Sequence, residues 1–205
     1  MPINVAINGF GRIGRLTLRA LTERIDEPIE IIAINDLADI DSIIHLLKYD
    51  SVHQEFNGSI TKTNDSILIQ DKHIRISSLT DPSQLPWREL DIDIVIESTG
   101  IFTDKVKASK HINAGAKKVL ISAPSSDADI TVVYGVNHND IDKTNHNIIS
   151  NGSCTTNCLA PLIKILNDSI GIETGYMTTV HSVTGDQSTI DTFHKDLRRS
   201  RNSAL

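Results

Sequence analysis

Short apolar runs alternate with apolar residues at helical spacing through the first third of the chain. Residues 3–7 and 29–34 are brief and rich in β-branched side chains, which predicts two strands. The segment between them carries apolar residues at helical intervals, at Ile13, Leu16, Ala20 and Leu21. A second helix is predicted to begin near Asp39, where Asp39 or Asp41 can cap it. This is the pattern of a βαβ unit.

The pattern of apolar and polar residues changes in the middle of the chain, and the continuous apolar runs then return. Runs at 66–70 and 73–77 alternate apolar and polar residues, which predicts antiparallel hairpins inserted at one edge of a sheet. Continuous apolar strands are predicted further on, at 92–96, 119–121, 130–134 and 148–149. A helix over 104–113, capped by Thr103 and ended by Gly115, joins the first two. The predicted fold is α/β, a doubly wound Rossmann-type parallel sheet with an antiparallel hairpin insertion.

The first strand is followed by the glycine-rich turn "NGFGRIG", residues 8–14. Such glycines allow a tight turn and close approach to a pyrophosphate, while the next helix supplies amide donors. Asp36 follows Gly14 by 22 residues, at a strand end where a carboxylate can accept from a ribose hydroxyl and repel the 2′-phosphate of NADP. We therefore expect NAD as the cofactor. The alternative is a plain glycine turn with Asp36 as a loop residue or helix cap.

Two further strand ends carry short polar segments that invite the same interpretation. They are "ESTG", residues 97–100, and "SAP", residues 122–124. Because ligands of doubly wound sheets bind beyond the carboxyl ends of the strands, both segments could line the nicotinamide side of a cleft. Both could equally be plain turns, since glycine and proline commonly mark turns.

Both cysteines lie four residues apart in "SNGSCTTNCLAPLIKIL", residues 150–166. Helical spacing of the apolar residues predicts a helix that begins near Cys154, with Ser153 as its cap. Cys154 then lies in the first turn, where the positive helix end favours a thiolate. Cys158, one turn on, leads to the apolar stripe and is expected to behave as an inert hydrophobe. Pro161 falls inside this helix, so the helix must kink there or begin later.

Local chemistry leaves Cys154 open between a catalytic and a structural role, since reduced cysteine is usually buried. A zinc site or a redox pair is disfavoured, because no ligand spacing and no C-x-x-C motif is present, so no metal is expected. A nucleophilic thiol needs a base, normally histidine. His181 ends the apolar run 176–180 and is predicted at a strand end. Most of the eight histidines are instead expected to be solvated on loops or helix surfaces.

Length and charge narrow the function classes. The 205 residues allow one large domain, or one domain and part of a second. A formal net charge of -6, spread without long blocks, gives no electrostatic reason to expect nucleic acid or an acidic membrane as a partner. The sequence shows no basic segment before an apolar core and no uncharged run near the roughly 18 residues that span a bilayer. A cytoplasmic protein is expected.

Several motifs together resemble one enzyme family along essentially the whole chain. They are "INGFGRIGR", "AINDL", "HLLKYDSVH", "STGIFT", "AGAKKVLISAPS", "SNGSCTTNCLAPL", "TTVHS" and "HKDLRRSR". In these motifs the chain resembles the phosphorylating glyceraldehyde-3-phosphate dehydrogenases, and "SCTTNC" is highly specific to them and to the related erythrose-4-phosphate dehydrogenases. The resemblance implies a glycolytic homotetramer that oxidises glyceraldehyde 3-phosphate with NAD and inorganic phosphate to 1,3-bisphosphoglycerate.

The resemblance also implies roles for individual residues. Cys154 matches the nucleophile that forms a thiohemiacetal and then a thioester, and His181 matches its base. Phosphate-binding positions are matched by Ser153, Thr155, Thr184 and Arg199. Cofactor-binding positions are matched by Asn8, Gly9, Phe10, Gly11, Arg12, Ile13, Asp36, Thr99, Gly100 and Ser122.

The resemblance further implies a domain division and an incomplete second domain. Residues 1–152 would form the NAD-binding Rossmann domain, and 153–205 the start of an α+β catalytic domain, because family members have about 330 residues. Two sites near the cofactor depart from the family pattern. Thr80 stands where an arginine is usual, and residues 192–193 are Thr-Phe where NAD-specific members carry Leu-Pro. An erythrose-4-phosphate dehydrogenase and an inactive NAD-binding fragment are the alternatives.

Overall fold

The chain packs as two compact units, Met1–Asp168 and Ser169–Leu205. The computed structural model describes residues 2–24 and 28–204. Its elements, in chain order, are β1 (Ile3–Asn8), α1 (Arg12–Thr22), β2 (Ile29–Asn35), α2 (Ile40–Lys48), β3 (Tyr49–Asp50), β4 (Gln54–Glu55), β5 (Ile60–Lys62), β6 (Ser66–Ile69), β7 (Lys72–Ser77), β8 (Ile94–Glu97), α3 (Lys105–Asn113), β9 (Lys118–Ile121), β10 (Ile130–Thr131), β11 (Ile148–Ser150) and α4 (Cys154–Ile170).

A single large sheet forms the centre of the first unit. Its strand order is β10-β11-β9-β8-β1-β2-β7-β6-β5. The pairs from β10 to β7 are parallel, while β7, β6 and β5 pair antiparallel at one edge. The predicted doubly wound sheet with an edge hairpin insertion is therefore confirmed. The chain reverses its direction of travel across the sheet between β1 and β8, and that switch point is where such sheets bind ligands.

The helix caps follow the predicted chemistry with one correction. Asp39 caps α2, because its Oδ1 accepts the backbone N–H of Ser42 at 2.9 Å. The cap of α3 is Asp104, whose Oδ1 accepts the N–H of Lys107 at 2.9 Å, so the prediction of Thr103 is wrong by one residue. A carboxylate is the stronger cap, since it adds a negative charge at the positive end of the helix.

The pairing of β1 with β2 contains a register shift. Val5 pairs with Ile31 but Ala6 pairs with Ala33, so Ile32 is an extra residue in β2. One extra residue on one strand is the definition of a β-bulge. Beyond the bulge the two strands pair residue by residue to their ends, as far as Asn8 with Asn35.

The two faces of the sheet bury separate apolar clusters. On one face, Ile7 and Ile34 pack with α1 and α2. On the other, Ala6 and Ala33 pack against Trp87, which is fully buried. Apart from the bulge at Ile32, alternate residues of these strands thus reach opposite layers, as a sheet covered on both faces requires.

The second unit differs from its sequence prediction. The structure shows no strand at 176–180, so the prediction that His181 follows a strand is wrong. Apolar composition alone does not make a strand, because a ladder needs a partner and no described segment pairs with this one. Turns order the unit instead, such as Gln187 N–H to the Thr184 carbonyl at 2.9 Å. Within residues 2–24 and 28–204, none of the helices is sufficiently long and apolar to cross a bilayer.

Candidate functional site

The turn between β1 and α1 needs glycine at two positions. Gly9 has a φ of +88°, and a Cβ there would lie 2.7 Å from the backbone nitrogen of Thr99. At Gly14 a Cβ would lie 2.4 Å from the carbonyl oxygen of Gly9. Backbone atoms cannot yield to contacts this short, so any side chain would push the turn open. The glycine turn is therefore packed directly against the loop that follows β8.

These loops and the end of β2 border one cleft of about 460 Å³. Five of the predicted cofactor-binding residues line it: Asn8, Gly9, Gly11, Asp36 and Thr99. The cleft lies at the carboxyl ends of β1, β2 and β8, beside the switch point of the sheet. Thr80 also lines it, so the departure from the usual arginine falls inside the cleft. Size, position and lining all suit a dinucleotide.

The amino end of α1 is a ready anion site. The helix begins at Arg12, and its N-cap is Gly11, which has no side chain with which to cap it. Amide N–H groups of a first helical turn have no partner within the helix, and the helix dipole is positive there. Ile13, in the same turn, is 52 % exposed. A phosphate group can therefore approach these amides directly.

The Arg12 side chain connects this helix end to Asp50, the last residue of β3. Its Nη1 lies 3.0 Å from Oδ2 of Asp50. Asp50 also accepts the backbone N–H groups of His53 and Val52. Those two hydrogen bonds, helped by Arg12, hold the pKa of the Asp50 carboxyl well below its usual range. Arg12 is consequently held beside the glycine turn by a carboxylate that stays ionised.

Asp36 uses both carboxylate oxygens to organise the cleft. Its Oδ2 accepts the backbone N–H of Phe10 at 2.6 Å, and its Oδ1 accepts the N–H of Ala38 at 2.9 Å. Each carboxylate oxygen can accept more than one hydrogen bond. Asp36 can thus hold the glycine turn and still accept from a ribose hydroxyl.

The other predicted cofactor residues occupy different surroundings. The side chain of Phe10 is buried in the apolar core, with 3 % exposed, so only its backbone faces the turn. Gly100 is exposed and has a φ of +74° in the loop after β8. Ser122 follows β9, where its N–H donates to the carbonyl oxygen of Glu97 at 2.9 Å. The sequence does not decide whether "ESTG" and "SAP" line a cleft or form plain turns. In the structure, "ESTG" borders the cleft through Ser98 and Thr99.

A set of hydrogen-bonded buried side chains extends from the cleft into the core, and we call it the polar row. Its members are Asn35, Asn8, Glu97, His111 and Trp87. The links are Asn35 Nδ2 to Asn8 Oδ1 at 2.8 Å and Asn8 Nδ2 to Glu97 Oε2 at 2.6 Å. They continue from His111 Nε2 to Glu97 Oε2 at 3.0 Å and from Trp87 Nε1 to His111 Nδ1 at 2.9 Å.

The sequence interpretation missed the inner half of the polar row. Most of the histidines are expected to be solvated, but His111 is 0 % exposed, so the expectation does not hold for it. The available signal was its position on α3, three residues after buried Ala108 and next to Ile112, on the face that packs on the sheet. A histidine on such a face needs a polar partner, and Glu97 supplies it.

The helix that carries the cysteines begins where it was predicted. α4 starts at Cys154, and Ser153 caps it by accepting the backbone N–H of Thr156 on Oγ at 3.0 Å. The hydroxyls of Thr155 and Thr156 lie 2.9 and 2.7 Å from the same Ser153 oxygen. Cys154 is exposed in the first turn, where the positive helix end favours the thiolate form.

The structure corrects one expectation for α4 and excludes one of the two alternatives given for Pro161. Cys158 is exposed, not shielded by an apolar stripe, because no described side chain of α4 is buried. The helix also runs continuously through Pro161, so it does not begin later. Proline cannot donate to the carbonyl of Asn157, and the helix is maintained by the turns on either side.

Three predicted residues of the catalytic chemistry lie in the second unit. Nδ1 of His181 is 2.6 Å from the carbonyl oxygen of Ser182. A carbonyl oxygen can only accept, so Nδ1 carries the proton and Nε2 is the nitrogen able to take up another. Thr184 and Arg199 meet at Asp186, which accepts the Thr184 hydroxyl at 2.5 Å and pairs with the Arg199 guanidinium. The Thr184 hydroxyl, with a smaller contribution from Arg199, lowers the pKa of Asp186.

Comparison with known proteins gives a consistent result across the chain. A family model described as the NAD binding domain of glyceraldehyde 3-phosphate dehydrogenase matches residues 3–105. A second, for the C-terminal domain of glyceraldehyde 3-phosphate dehydrogenase, matches residues 153–205.

Individual relatives agree with the family models. The chain is 52 % identical over 205 residues to glyceraldehyde-3-phosphate dehydrogenase of Xanthobacter flavus, which covers 100 % of this chain and 61 % of that protein. It is 55 % identical over 204 residues to glyceraldehyde-3-phosphate dehydrogenase 2 of Streptomyces avermitilis, covering 100 % and 61 %. Over 201 residues it is 53 % identical to glyceraldehyde-3-phosphate dehydrogenase of Thermotoga maritima, and the match covers 98 % of this chain and 60 % of that protein. The chain thus spans about three fifths of the length of these relatives, and it belongs to the glyceraldehyde-3-phosphate dehydrogenase family.

Proposed function

We propose that this chain forms the cofactor-binding and nucleophile-bearing part of an enzyme that oxidises glyceraldehyde 3-phosphate. The products would be 1,3-bisphosphoglycerate and NADH, with inorganic phosphate as the second substrate. The observation that carries the proposal is Cys154 at the first residue of α4, capped by Ser153 and exposed. Membership of the family supplies the substrate class.

The cleft fits a dinucleotide by its own geometry. Gly9 and Gly14 leave no room for a Cβ, and the amides at the start of α1 suit a pyrophosphate. Asp36 would accept from the adenosine ribose, and the loops at Thr99 and Ser122 would border the rest of the cofactor. NAD, when bound, supplies the hydride acceptor for the aldehyde oxidation. Residues of this chain would hold the cofactor in place and exclude water from the cleft.

Cys154 would act as the nucleophile. Its thiolate, favoured at the amino end of α4, would add to the aldehyde carbon, and the former carbonyl oxygen would take up a proton from water to give a thiohemiacetal. His181 would take up the hydroxyl proton on Nε2, since the Ser182 carbonyl fixes the proton on Nδ1. Loss of hydride then leaves a thioester on Cys154. Inorganic phosphate releases the product by attack on that thioester.

The phosphate groups would be held by hydroxyl and guanidinium donors. Ser153 and Thr155 lie beside the nucleophile at the start of α4, where phosphate is favoured by the helix end. Thr184 and Arg199 already bind one carboxylate, Asp186, and the same donors suit a phosphate. We assign all four as phosphate-binding residues on this chemistry and on the family match.

For the complete protein we further propose a cytoplasmic homotetramer acting in glycolysis. A reducing compartment keeps accessible thiols reduced, and both cysteines are exposed thiols rather than a disulfide, which supports the cytoplasmic location. Light scattering of the purified protein tests the assembly, and a mass corresponding to a monomer or dimer would contradict it.

One assay tests the chemistry of the proposal. NADH formation from glyceraldehyde 3-phosphate and inorganic phosphate is followed in the complete protein and in two variants. Cys154→Ser should abolish turnover because a hydroxyl is a far weaker nucleophile, whereas Cys158→Ser should largely retain it. Equal loss in both variants would refute the assigned roles. A much higher kcat/KM with erythrose 4-phosphate would refute the substrate assignment.

A further inference from the structure

We propose that His111 and Trp87 are positioning residues of the nucleotide cleft. They fix the orientation of the Glu97 carboxylate, and Glu97 holds the loop that supports the glycine turn. Neither His111 nor Trp87 lines the cleft, and both are 0 % exposed, so they act through Glu97. The inference rests on the proposed binding of NAD in that cleft.

Trp87 determines which nitrogen of His111 carries the proton. An indole N–H can only donate, so Trp87 Nε1, 2.9 Å from Nδ1, requires that nitrogen to be the acceptor. The imidazole proton of the neutral ring must then lie on Nε2, which is 3.0 Å from Oε2 of Glu97. Trp87 thus selects the tautomer in which His111 donates to Glu97. The opposite tautomer would place two donors face to face in the core.

Several hydrogen-bond donors converge on the Glu97 carboxylate. Oε2 accepts from His111 and from Asn8 Nδ2 at 2.6 Å. Oε1 accepts the backbone N–H of Thr99 at 2.8 Å and the Thr99 hydroxyl. The carboxylate is 1 % exposed, so these donors replace its water. Because each oxygen has two donors, the carboxylate is restricted to one orientation.

The loop after β8 connects the Glu97 carboxylate to the cleft. Thr99 is held by Glu97 and accepts the N–H of Ile101 on Oγ1 at 3.0 Å, which shapes the loop after β8. Next to it, the Ser98 hydroxyl donates to the carbonyl oxygen of Gly9 at 2.6 Å. The glycine turn also packs on the Thr99 backbone with no room to spare. If Glu97 lost a donor and rotated, Thr99 would shift and the phosphate-binding turn would shift with it.

The experiment compares variants that break the network at different points. Trp87→Phe removes the indole donor and keeps an aromatic ring in the core. His111→Phe removes both ring nitrogens, whereas His111→Gln offers an amide oxygen to Trp87 and an amide N–H to Glu97. Ile92→Val is the matched control, because Ile92 is fully buried in the same cluster as Trp87 but belongs to no part of the polar row.

NADH affinity is measured by calorimetry, and folding by circular dichroism and thermal unfolding. We expect Trp87→Phe and His111→Phe to weaken NADH binding about tenfold, the effect of one lost buried hydrogen bond. His111→Gln should restore affinity to within about threefold of the parent, and Ile92→Val should lower the melting temperature without changing affinity. Rescue by glutamine separates positioning from a merely structural role, which would reduce stability alone.

A spectroscopic readout is independent of affinity. The chain has one tryptophan, so the indole N–H gives a single resonance in a nitrogen-correlated proton spectrum. That resonance should lie downfield in the parent relative to His111→Phe, and should move when NADH is added. Folded Trp87→Phe and His111→Phe proteins that bind NADH as tightly as the parent would overturn the inference. A parent protein that binds no NADH would overturn the proposed function as well. If His111→Phe does not fold, Trp87→Phe decides the matter.

Discussion

The backbone N–H of Phe10 donates to the carboxylate of Asp36 at 2.6 Å, which joins the glycine turn to the end of β2. The side chain proposed to select the cofactor is therefore also part of the support for the phosphate-binding turn. Ala38 donates to the other oxygen at 2.9 Å, so neither oxygen can be lost without effect. Charge and geometry at this position are coupled.

Replacing Asp36 with asparagine should reduce NADH affinity by about tenfold and narrow the preference over NADPH. The amide has one acceptor oxygen, so its NH₂ group must face the N–H of Phe10 or of Ala38, and the repulsion of a 2′-phosphate is lost. Dissociation constants for NADH and NADPH, measured by titration, give both effects. Asp39→Asn is the control, because asparagine caps α2 as well as aspartate does. An unchanged NADH to NADPH ratio in Asp36→Asn would contradict the assignment.

The two cysteines provide an internal comparison of thiol reactivity. Both are exposed and they are one helical turn apart, but only Cys154 lies at the amino end of α4. Alkylation by iodoacetamide should therefore be at least about tenfold faster at Cys154, since the thiolate is the reactive species. Peptide mass spectrometry over a time course measures both rates in one sample. Equal rates would show that the helix end does not activate the thiol.

Removing the Asp186 carboxylate should strengthen phosphate binding. In the structure Asp186 occupies the donors of Thr184 and Arg199, so a phosphate must compete with it. Asp186→Asn should lower the KM for inorganic phosphate several-fold in the complete protein. Asp191→Asn, which breaks a pair with Arg201 at 3.3 Å in the same unit, should leave KM unchanged. A raised KM in Asp186→Asn would mean that the carboxylate orients the donors instead of competing for them.

Asp93 should make stability depend on pH. Its carboxylate accepts the Lys117 ammonium at 2.7 Å and the Asn4 N–H at 2.8 Å, and these bonds, Lys117 foremost, lower its pKa. Its contribution is therefore present above the unfolded-state pKa of about 3.9 and is lost as the pH falls through the lower folded value. Asp93→Asn should cost about 1 kcal/mol of unfolding free energy at pH 7.

That difference should shrink as the parent protein is acidified below the ordinary aspartate range, as followed by urea unfolding at several pH values. Asp41→Asn is the control, since it removes an exposed pair with Lys62, and exposed pairs contribute little. A deficit in Asp93→Asn that stays constant with pH would exclude the ionised carboxylate as its source.

Local sequence chemistry was enough to predict the parts of the site that depend on backbone geometry. The Gly9 to Gly14 spacing and the start of α4 at Cys154 follow from strand, glycine and cap preferences, and the structure has both. The cap of α3 was misplaced by one residue because Thr103 and Asp104 are both good caps. Cap preference favours aspartate over threonine only modestly, so the helix start, and with it the cap, is fixed by the packing of α3.

What the sequence could not supply depends on contacts between distant residues. His111 and Glu97 are 14 residues apart, and only the packing of α3 on the sheet shows that they form a buried pair. The strand expected before His181 failed for the related reason that a strand exists only with a partner to pair with. The exposure of Cys158 likewise depends on whether another segment packs on α4, and no local pattern of the sequence encodes that.

The extra residue in β2 decides which layer of the protein receives Asn35. With unbroken alternation from Ile31, Ala33 and Asn35 would point toward the apolar cluster under α1 and α2, where an amide would have no partner. Ile32 reverses that parity, so Asn35 comes to face the same layer as Asn8. A one-residue deletion at Ile32 would therefore spare the cleft, because Ala33, Ile34 and Asn35 would still pair with Ala6, Ile7 and Asn8 and Asn35 would keep its place in the polar row.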